Sequence, residues 1–200
     1  MNFDFNYDLD YDHKERGIKI LKITLKVIFW LIILAGAVVA AWAITKYCVE
    51  KTNMTGNSMK TTLSDGDKIL INRMSYRNSD PERFDVIVFE KSGSEHSYYG
   101  IRRVIGLPGE KVQIKDGFVY INGEKIEEPI NVEEMKVSGL AASPIVLDDD
   151  EFFVLGDNRN SSEDSRFTSM GNVTRSEIIG KAWIRTNSFG IISRMNLKSD

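Results

Sequence analysis

The sequence predicts a mostly β domain carried on a single N-terminal membrane helix, and two observations predict it. Val27 to Ile44 reads VIFWLIILAGAVVAAWAI without a charge, and at 1.5 Å per residue a helix of that length is about 27 Å long, close to the hydrocarbon thickness of a bilayer. Beyond it, short runs rich in Val, Ile, Phe and Tyr recur between Gly, Pro, Asn and Asp turn signals, the pattern of strands.

The elements follow in chain order. Residues 1–13 are acidic and tyrosine-bearing with no apolar period, and are expected to be a disordered arm within a cytoplasmic segment, 1–26. The apolar stretch 27–44 ends in a small-x-small triplet, AWA at 41–43, of the kind that marks cleavable signal sequences. Two features favour a permanent anchor: the stretch is long, and the segment before it is long and carries Asp4, Asp8, Asp10 and Asp12 instead of a short basic lead. Lys14, Arg16, Lys19, Lys22 and Lys26 precede the stretch, whereas Lys46, Lys51 and Lys60 follow it. The excess of positive charge on the N-terminal side implies a cytoplasmic N-terminus in the cell membrane and an extracytoplasmic domain, 45–200.

In that domain the expected strands are KILINR (68–73), DVIVFE (85–90), YGIRRVIG (99–106), KVQI (111–114), FVYI (118–121), EFFVLG (151–156) and IIGKAWIR (178–185). Asp116-Gly117 between two of them supplies the positive φ of a tight hairpin turn. Residues 127–150 are polar and weakly patterned, as in a loop or small cap.

Composition excludes several functions. The net charge of −3 comes with no basic stripe, which argues against nucleic acid as a partner. Cys48 is the only cysteine and there are two histidines, so neither an intrachain disulfide nor a zinc-ligand cluster is available. The LDDDE run lacks the alternating ligands and central glycine of a calcium loop. No metal or organic cofactor is expected.

Three segments carry more polar chemistry than a β scaffold needs: TGNSMKTTLSDGDKILINR with Ser58, IRRVIGLPGEKV with Arg102 and Arg103, and LGDNRNSSEDSRF after an apolar strand. A lone serine among Thr, Asn and Gly is ordinarily turn chemistry. In the order GNSMKTTLSDGD, FDVIVF, IRRVIGLPGEKV, GDNRNSSEDSR, IIGKAWIR, however, the chain from about Thr55 to Arg185 resembles the type I signal peptidases, membrane-bound serine proteases of exported proteins.

The resemblance implies a β fold with a catalytic core and a small inserted cap within 107–150, and preprotein signal peptides as partners, cut after small residues at the outer face of the membrane. It implies that Ser58 is the nucleophile, that the Ser58 N–H contributes to an oxyanion hole, that Met59 shapes the substrate groove, and that Gly56 stands where other members have a second hydroxyl donor. Ser162 matches the serine that hydrogen-bonds the general base; Asp157, Asp164, Arg166 and Arg103 match a structural polar network. Two positions depart from the family pattern. Thr61 stands where a proline is expected, and Arg102 stands at the position of the base lysine.

An arginine guanidinium stays protonated throughout the accessible pH range and offers no lone pair while charged. His96 and Lys60 are the other residues weighed as a base. A family member that binds precursors and assists surface-protein assembly without cutting is therefore the alternative to a serine endopeptidase.

Overall fold

The computed structural model describes residues 5–91, 98–195, 197 and 198. His96 lies outside the described residues.

Helix α1 runs from Phe5 to Cys48. Residues 5–13, expected as a disordered arm, continue the helix, since extending an existing helix adds one hydrogen bond per residue without a new nucleation cost. Within α1, Ile18–Cys48 is long and apolar enough to cross a membrane, and none of it is buried against protein. Trp30, Leu34, Val38 and Trp42 are exposed, which a core helix of a water-soluble domain would not tolerate but a lipid-facing helix requires.

Residues 47–200 form a separate compact unit that is mostly antiparallel β, as the sequence predicts. Its larger sheet has the order β1 (Val49–Asn53), β2 (Lys68–Asn72), β11 (Ile178–Arg185), β3 (Val86–Lys91), β4 (Tyr98–Gly106), β9 (Glu151–Leu155) and β10 (Val173–Thr174), with β12 (Gly190–Ile191) on β11. The smaller sheet, β7 (Glu124–Lys125), β6 (Phe118–Ile121), β5 (Lys111–Lys115) and β8 (Ile145–Val146), is drawn entirely from 111–146.

Strand β3 is buried on both faces, so it reads as a continuous apolar run instead of an alternation. Val86 and Val88 join Met59, Leu63, Ile69, Ile71 and Ile101 in one core, while Ile87 and Phe89 join Val104, Phe152 and Val154 in another. A third core unites Val112, Ile114, Val119 and Ile121 of the smaller sheet with Ile105, Phe153 and Leu155 of the larger. The smaller sheet is thus held on the larger by shared apolar burial.

The β5–β6 turn has φ of 52° at Asp116 and 79° at Gly117, the double positive φ of a type I′ turn, whose twist matches the flanking strands. Asn122-Gly123, with φ of 53° and 91°, repeats the device between β6 and β7. Pro108-Gly109 makes the turn after β4: Glu110 N–H donates to the Leu107 carbonyl at 3.1 Å, and Gly109 takes a φ of 75°, as position i+2 of a type II turn requires.

The loop between β1 and β2, residues 54–67, is fastened at its base. Met54 N–H donates to the Asp67 carbonyl at 2.8 Å and Gly66 N–H to the Met54 carbonyl at 2.9 Å. The Asp67 carboxylate accepts from Asn187 Nδ2 at 2.8 Å, Ser64 N–H at 2.8 Å and Arg185 at 3.4 Å. Burial pulls the Asp67 carboxyl upward, but these hydrogen bonds and the Arg185 charge outweigh it and hold the pKa below the usual carboxylate value. A depressed folded pKa means that the stabilisation is present above the unfolded value of about 3.9 and is lost as pH falls through the folded one. The melting-temperature advantage of the natural chain over Asp67→Asn should therefore shrink steadily as the pH is lowered below about 4; an advantage independent of pH in that range would contradict the assignment.

Candidate active site

The loop after β1 carries Gly56, Asn57, Ser58 and Met59. Gly56 has a φ of 80° and its N–H donates to Asp65 Oδ1 at 2.7 Å, which closes the loop on itself. Its glycine serves that positive φ, where a side chain would be strained. Met59 is fully buried; its carbonyl accepts from the N–H groups of Thr62 (2.8 Å) and Leu63 (2.6 Å). Met59 therefore anchors the single turn from which Ser58 projects. Ser58 is 8% exposed, and neither its N–H nor its hydroxyl has a hydrogen-bond partner among the described residues.

The segment after β9 lies against this loop. Asn158 N–H donates to the Ser58 carbonyl at 3.0 Å and Asn158 Nδ2 to the Asn57 carbonyl at 2.9 Å, while Asp157 N–H approaches Met59 Sδ at 3.4 Å. Gly156 is where the two segments touch: a Cβ there would collide with Ser162 Oγ and stand 2.6 Å from the Ser58 carbonyl oxygen. Ser58 and Ser162, far apart in sequence, thereby meet around one glycine. Ser162 Oγ is buried with no hydrogen-bond partner among the described residues.

The two arginines of β4 project to opposite faces of the strand, as a period of two demands. Arg103, 2% exposed, forms a bidentate pair with Asp157, Nε to Oδ1 at 2.8 Å and Nη2 to Oδ2 at 2.6 Å, and donates to the Phe84 carbonyl at 2.8 Å. Thr62 Oγ1 donates to the same carboxylate at 2.5 Å. Arg102 is half-buried: Nε and Nη2 donate to the Glu163 carbonyl at 2.9 and 2.6 Å, and Nη1 to the Ile101 carbonyl at 2.7 Å. The guanidinium is thus fastened to the residue that follows Ser162.

Asp164 and Arg166 form a second buried pair. Arg166 Nε and Nη2 donate to the two carboxylate oxygens at 2.8 and 2.9 Å, Nη1 reaches the Val137 carbonyl at 3.0 Å and Nη2 the Arg159 carbonyl at 2.5 Å. Gly156 N–H donates to Asp164 at 3.1 Å, so this pair also fixes the glycine at the meeting point. Sequence reasoning missed Thr62, Glu128 and Asn158. Glu128 receives both terminal nitrogens of buried Arg159, and only an unpaired Arg159 in the sequence hinted that such an acid was needed.

A cleft of about 700 Å³ lies between β1 and β4 and is lined by Thr52, Asn53, Thr55, Glu90, Tyr99, Gly100 and Arg102. Its wall is polar; Gly100 has no side chain to line it, because the Phe89 ring fills the space where a Cβ would lie. β1 pairs only with β2, and β4 pairs with β9 only from Arg103 onward, so both walls are open strand edges. Tyr99 Oη donates to Glu50 at 3.1 Å and ties the strands together at one end. That hydrogen bond and the Glu50 charge raise the Tyr99 pKa above its ordinary value. Of the residues singled out from sequence, only Arg102 lines this cleft; Ser58, Met59, Asp157, Ser162 and Asp164 meet around Gly156, with Arg103 bound to Asp157 and Arg166 to Asp164. Lys60 is exposed and its N–H is engaged by the Asn57 carbonyl at 3.1 Å. No group of acids, histidines and cysteines among the described residues could hold a metal ion.

Comparison with known proteins identifies relatives of the chain. The profile of the signal peptidase family, peptidase S26, matches residues 27–186. A probable signal peptidase I-2 from Synechocystis is 35% identical over 82% of this chain and 73% of its own length. Signal peptidase I from Bacillus amyloliquefaciens is 35% identical over 77% of this chain and 84% of its own, and signal peptidase IB from Staphylococcus aureus 31% identical over 80% and 89%. A crystal structure of a signal peptidase I from Enterococcus faecalis is 30% identical, covers 52% of this chain and 97% of its own, and superposes with a TM-score of 0.42. On the profile match and these relatives, the chain belongs to the signal peptidase family, peptidase S26.

Proposed function

We propose that the protein is a serine endopeptidase of the signal peptidase I type, which removes signal peptides from exported preproteins at the outer face of the membrane. The observation that carries this reading is the state of Ser58: its hydroxyl and its N–H are both unengaged among the described residues, yet its loop is gripped from the other side by Asn158. A serine in a structural turn spends its hydroxyl on the turn. This one keeps a nucleophile and an oxyanion donor in reserve, in a loop whose Thr55 lines a cleft with two open strand edges that suit an extended peptide.

The chemistry is acyl transfer. Ser58 Oγ attacks the scissile carbonyl as its proton passes to a base, and the oxyanion gathers at the Ser58 N–H. The intermediate collapses with cleavage of the C–N bond, the base returning the proton to the leaving amine, and water then hydrolyses the acyl-serine ester to the free carboxylate and regenerates Ser58. Arg102 stands at the position of the base, and a permanently charged guanidinium cannot take that proton. Precursor binding with slow or absent cleavage is the second reading, and the hydrogen bonds that fasten Arg102 to backbone carbonyls, leaving Ser162 Oγ orphaned, favour it over ordinary turnover.

In either case the residual cleavage of a signal-peptide substrate by the full chain in detergent should fall to background in Ser58→Ala, with an unchanged circular dichroism spectrum. Full activity in that variant would mean that another residue is the nucleophile. Protease added outside intact cells should digest residues 45–200 and spare the N-terminal segment; protection of the β domain would reverse the orientation.

A further inference from the structure

Asn158, in the segment after β9, holds the nucleophile loop with two hydrogen bonds. Asn158 takes the Asn57 carbonyl with its side chain at 2.9 Å and the Ser58 carbonyl with its backbone N–H at 3.0 Å. The Asn57 carbonyl belongs to the same peptide plane as the Ser58 N–H. That plane is rigid and trans, so its C=O and N–H point in opposite directions. Holding the oxygen with Asn158 Nδ2 on one side, together with Lys60 N–H at 3.1 Å, aims the Ser58 N–H away from Asn158 and leaves it unengaged. A carbonyl that accepts hydrogen bonds also polarises its amide and makes the opposite N–H a better donor.

Asn158 is itself firmly seated. The residue before it, Asp157, is bound by Arg103 and Thr62, and the residue after it, Arg159, by Glu128. Its own carbonyl accepts from Ser161 N–H at 3.0 Å. From this geometry we infer that Asn158 is a positioning residue for the oxyanion hole: it orients the Ser58 peptide plane so that its N–H meets the developing charge. The inference rests on Ser58 being the nucleophile. It adds a role that neither the fold nor the polar network at Asp157 and Asp164 requires, since those pairs stand without the Asn158 side chain.

The test measures kcat, KM and the affinity of a peptide boronate, which forms a tetrahedral adduct with a serine hydroxyl, for the full chain in detergent. It is run in the natural sequence and in the Arg102→Lys background. Asn158→Ala should lower kcat about tenfold, a fraction of the 10² to 10³ lost when an oxyanion donor is removed outright. KM should stay unchanged and boronate affinity should fall by the same factor as kcat/KM, because both report stabilisation of the tetrahedral state. Asn158→Asp, nearly identical in shape but unable to donate from its side chain, should be no better than alanine. Near-parental kcat in Asn158→Asp, or a loss in KM alone, overturns the proposal, as does a fall in melting temperature large enough to account for the lost activity. If Ser58→Ala keeps its activity in both backgrounds, the assignment of Ser58 fails and this proposal with it; if cleavage depends on Ser58 and is indifferent to Asn158, only the proposal fails.

Discussion

Arg102→Lys raises kcat/KM for a signal-peptide substrate by about 10² or more, the range that a positioned general base supplies. The arginine stays protonated throughout the accessible pH range, and its guanidinium is spent on the Glu163 and Ile101 carbonyls. A lysine at this position offers an amine that loses its proton at accessible pH, and Ser162 Oγ, buried and without a hydrogen-bond partner among the described residues, becomes available to orient it. Because the cleft around position 102 is lined by Thr52, Asn53, Thr55 and Glu90, the amine is less desolvated than in an apolar pocket, and its pKa falls only in part. The gain should therefore keep increasing between about pH 7 and 9, since the free-amine fraction grows with pH below the pKa. Two effects oppose it: the shorter side chain leaves a gap, and the bonds to the two carbonyls are lost, at about 1 kcal/mol each. The measurement compares the natural chain, Arg102→Lys, and Arg102→Lys with Ser58→Ala. A rise that vanishes in the last variant supports a disabled dyad. Ordinary turnover in the natural chain, unimproved by lysine, would place the base elsewhere, with Lys60 and His96 next to be mutated.

Asp164→Ala destabilises the β domain by about 3 to 5 kcal/mol, the cost of leaving one partner of a buried ion pair uncompensated. Arg166 heads the fully buried side chains by size, and Asp164 has no exposed surface. Without the carboxylate, the guanidinium keeps only the Val137 and Arg159 carbonyls, and Gly156 N–H loses its acceptor. The damage reaches the site, because Gly156 separates Ser162 Oγ from the Ser58 carbonyl. Urea unfolding followed by tryptophan fluorescence should show the midpoint move with little change in slope. Replacing both partners, Asp164→Ala with Arg166→Met, should recover part of the loss, since an apolar core is cheaper than a stranded charge. A single-variant loss below about 1 kcal/mol would mean that water reaches Arg166 and that the pair behaves as a surface one.

The strands read from sequence are the ones whose own residues carry the signal. β5 and β6 alternate and enclose an Asp-Gly turn, and β3 and β9 carry the continuous apolar runs VIVF and FFVL because both of their faces are covered there. β1, VEKTN, was not legible, since three of its five residues are charged or amide-bearing and it becomes a strand through its pairing with β2. The two-residue strands β7, β8, β10 and β12 are shorter than any periodicity can register. Residues 5–13 look unstructured alone and are helical because α1 continues into them.

The order and spacing of the polar motifs determined the family and marked Ser58 and Arg102 as candidates, because those are matters of residue identity. Tertiary structure alone decided what the identities mean. Arg102 and Arg103 are the same residue side by side, yet one is sealed against Asp157 and the other faces a polar cleft, because alternate residues of a strand serve opposite faces and the partners arrive from Asp157 and Glu163, more than fifty residues on. The same holds for Asn158. Nothing in GDNR marks it as the residue that grips the nucleophile loop, because its two carbonyl partners lie about a hundred positions earlier in the chain and come within 3 Å only when β9 and the loop after β1 are folded against one another.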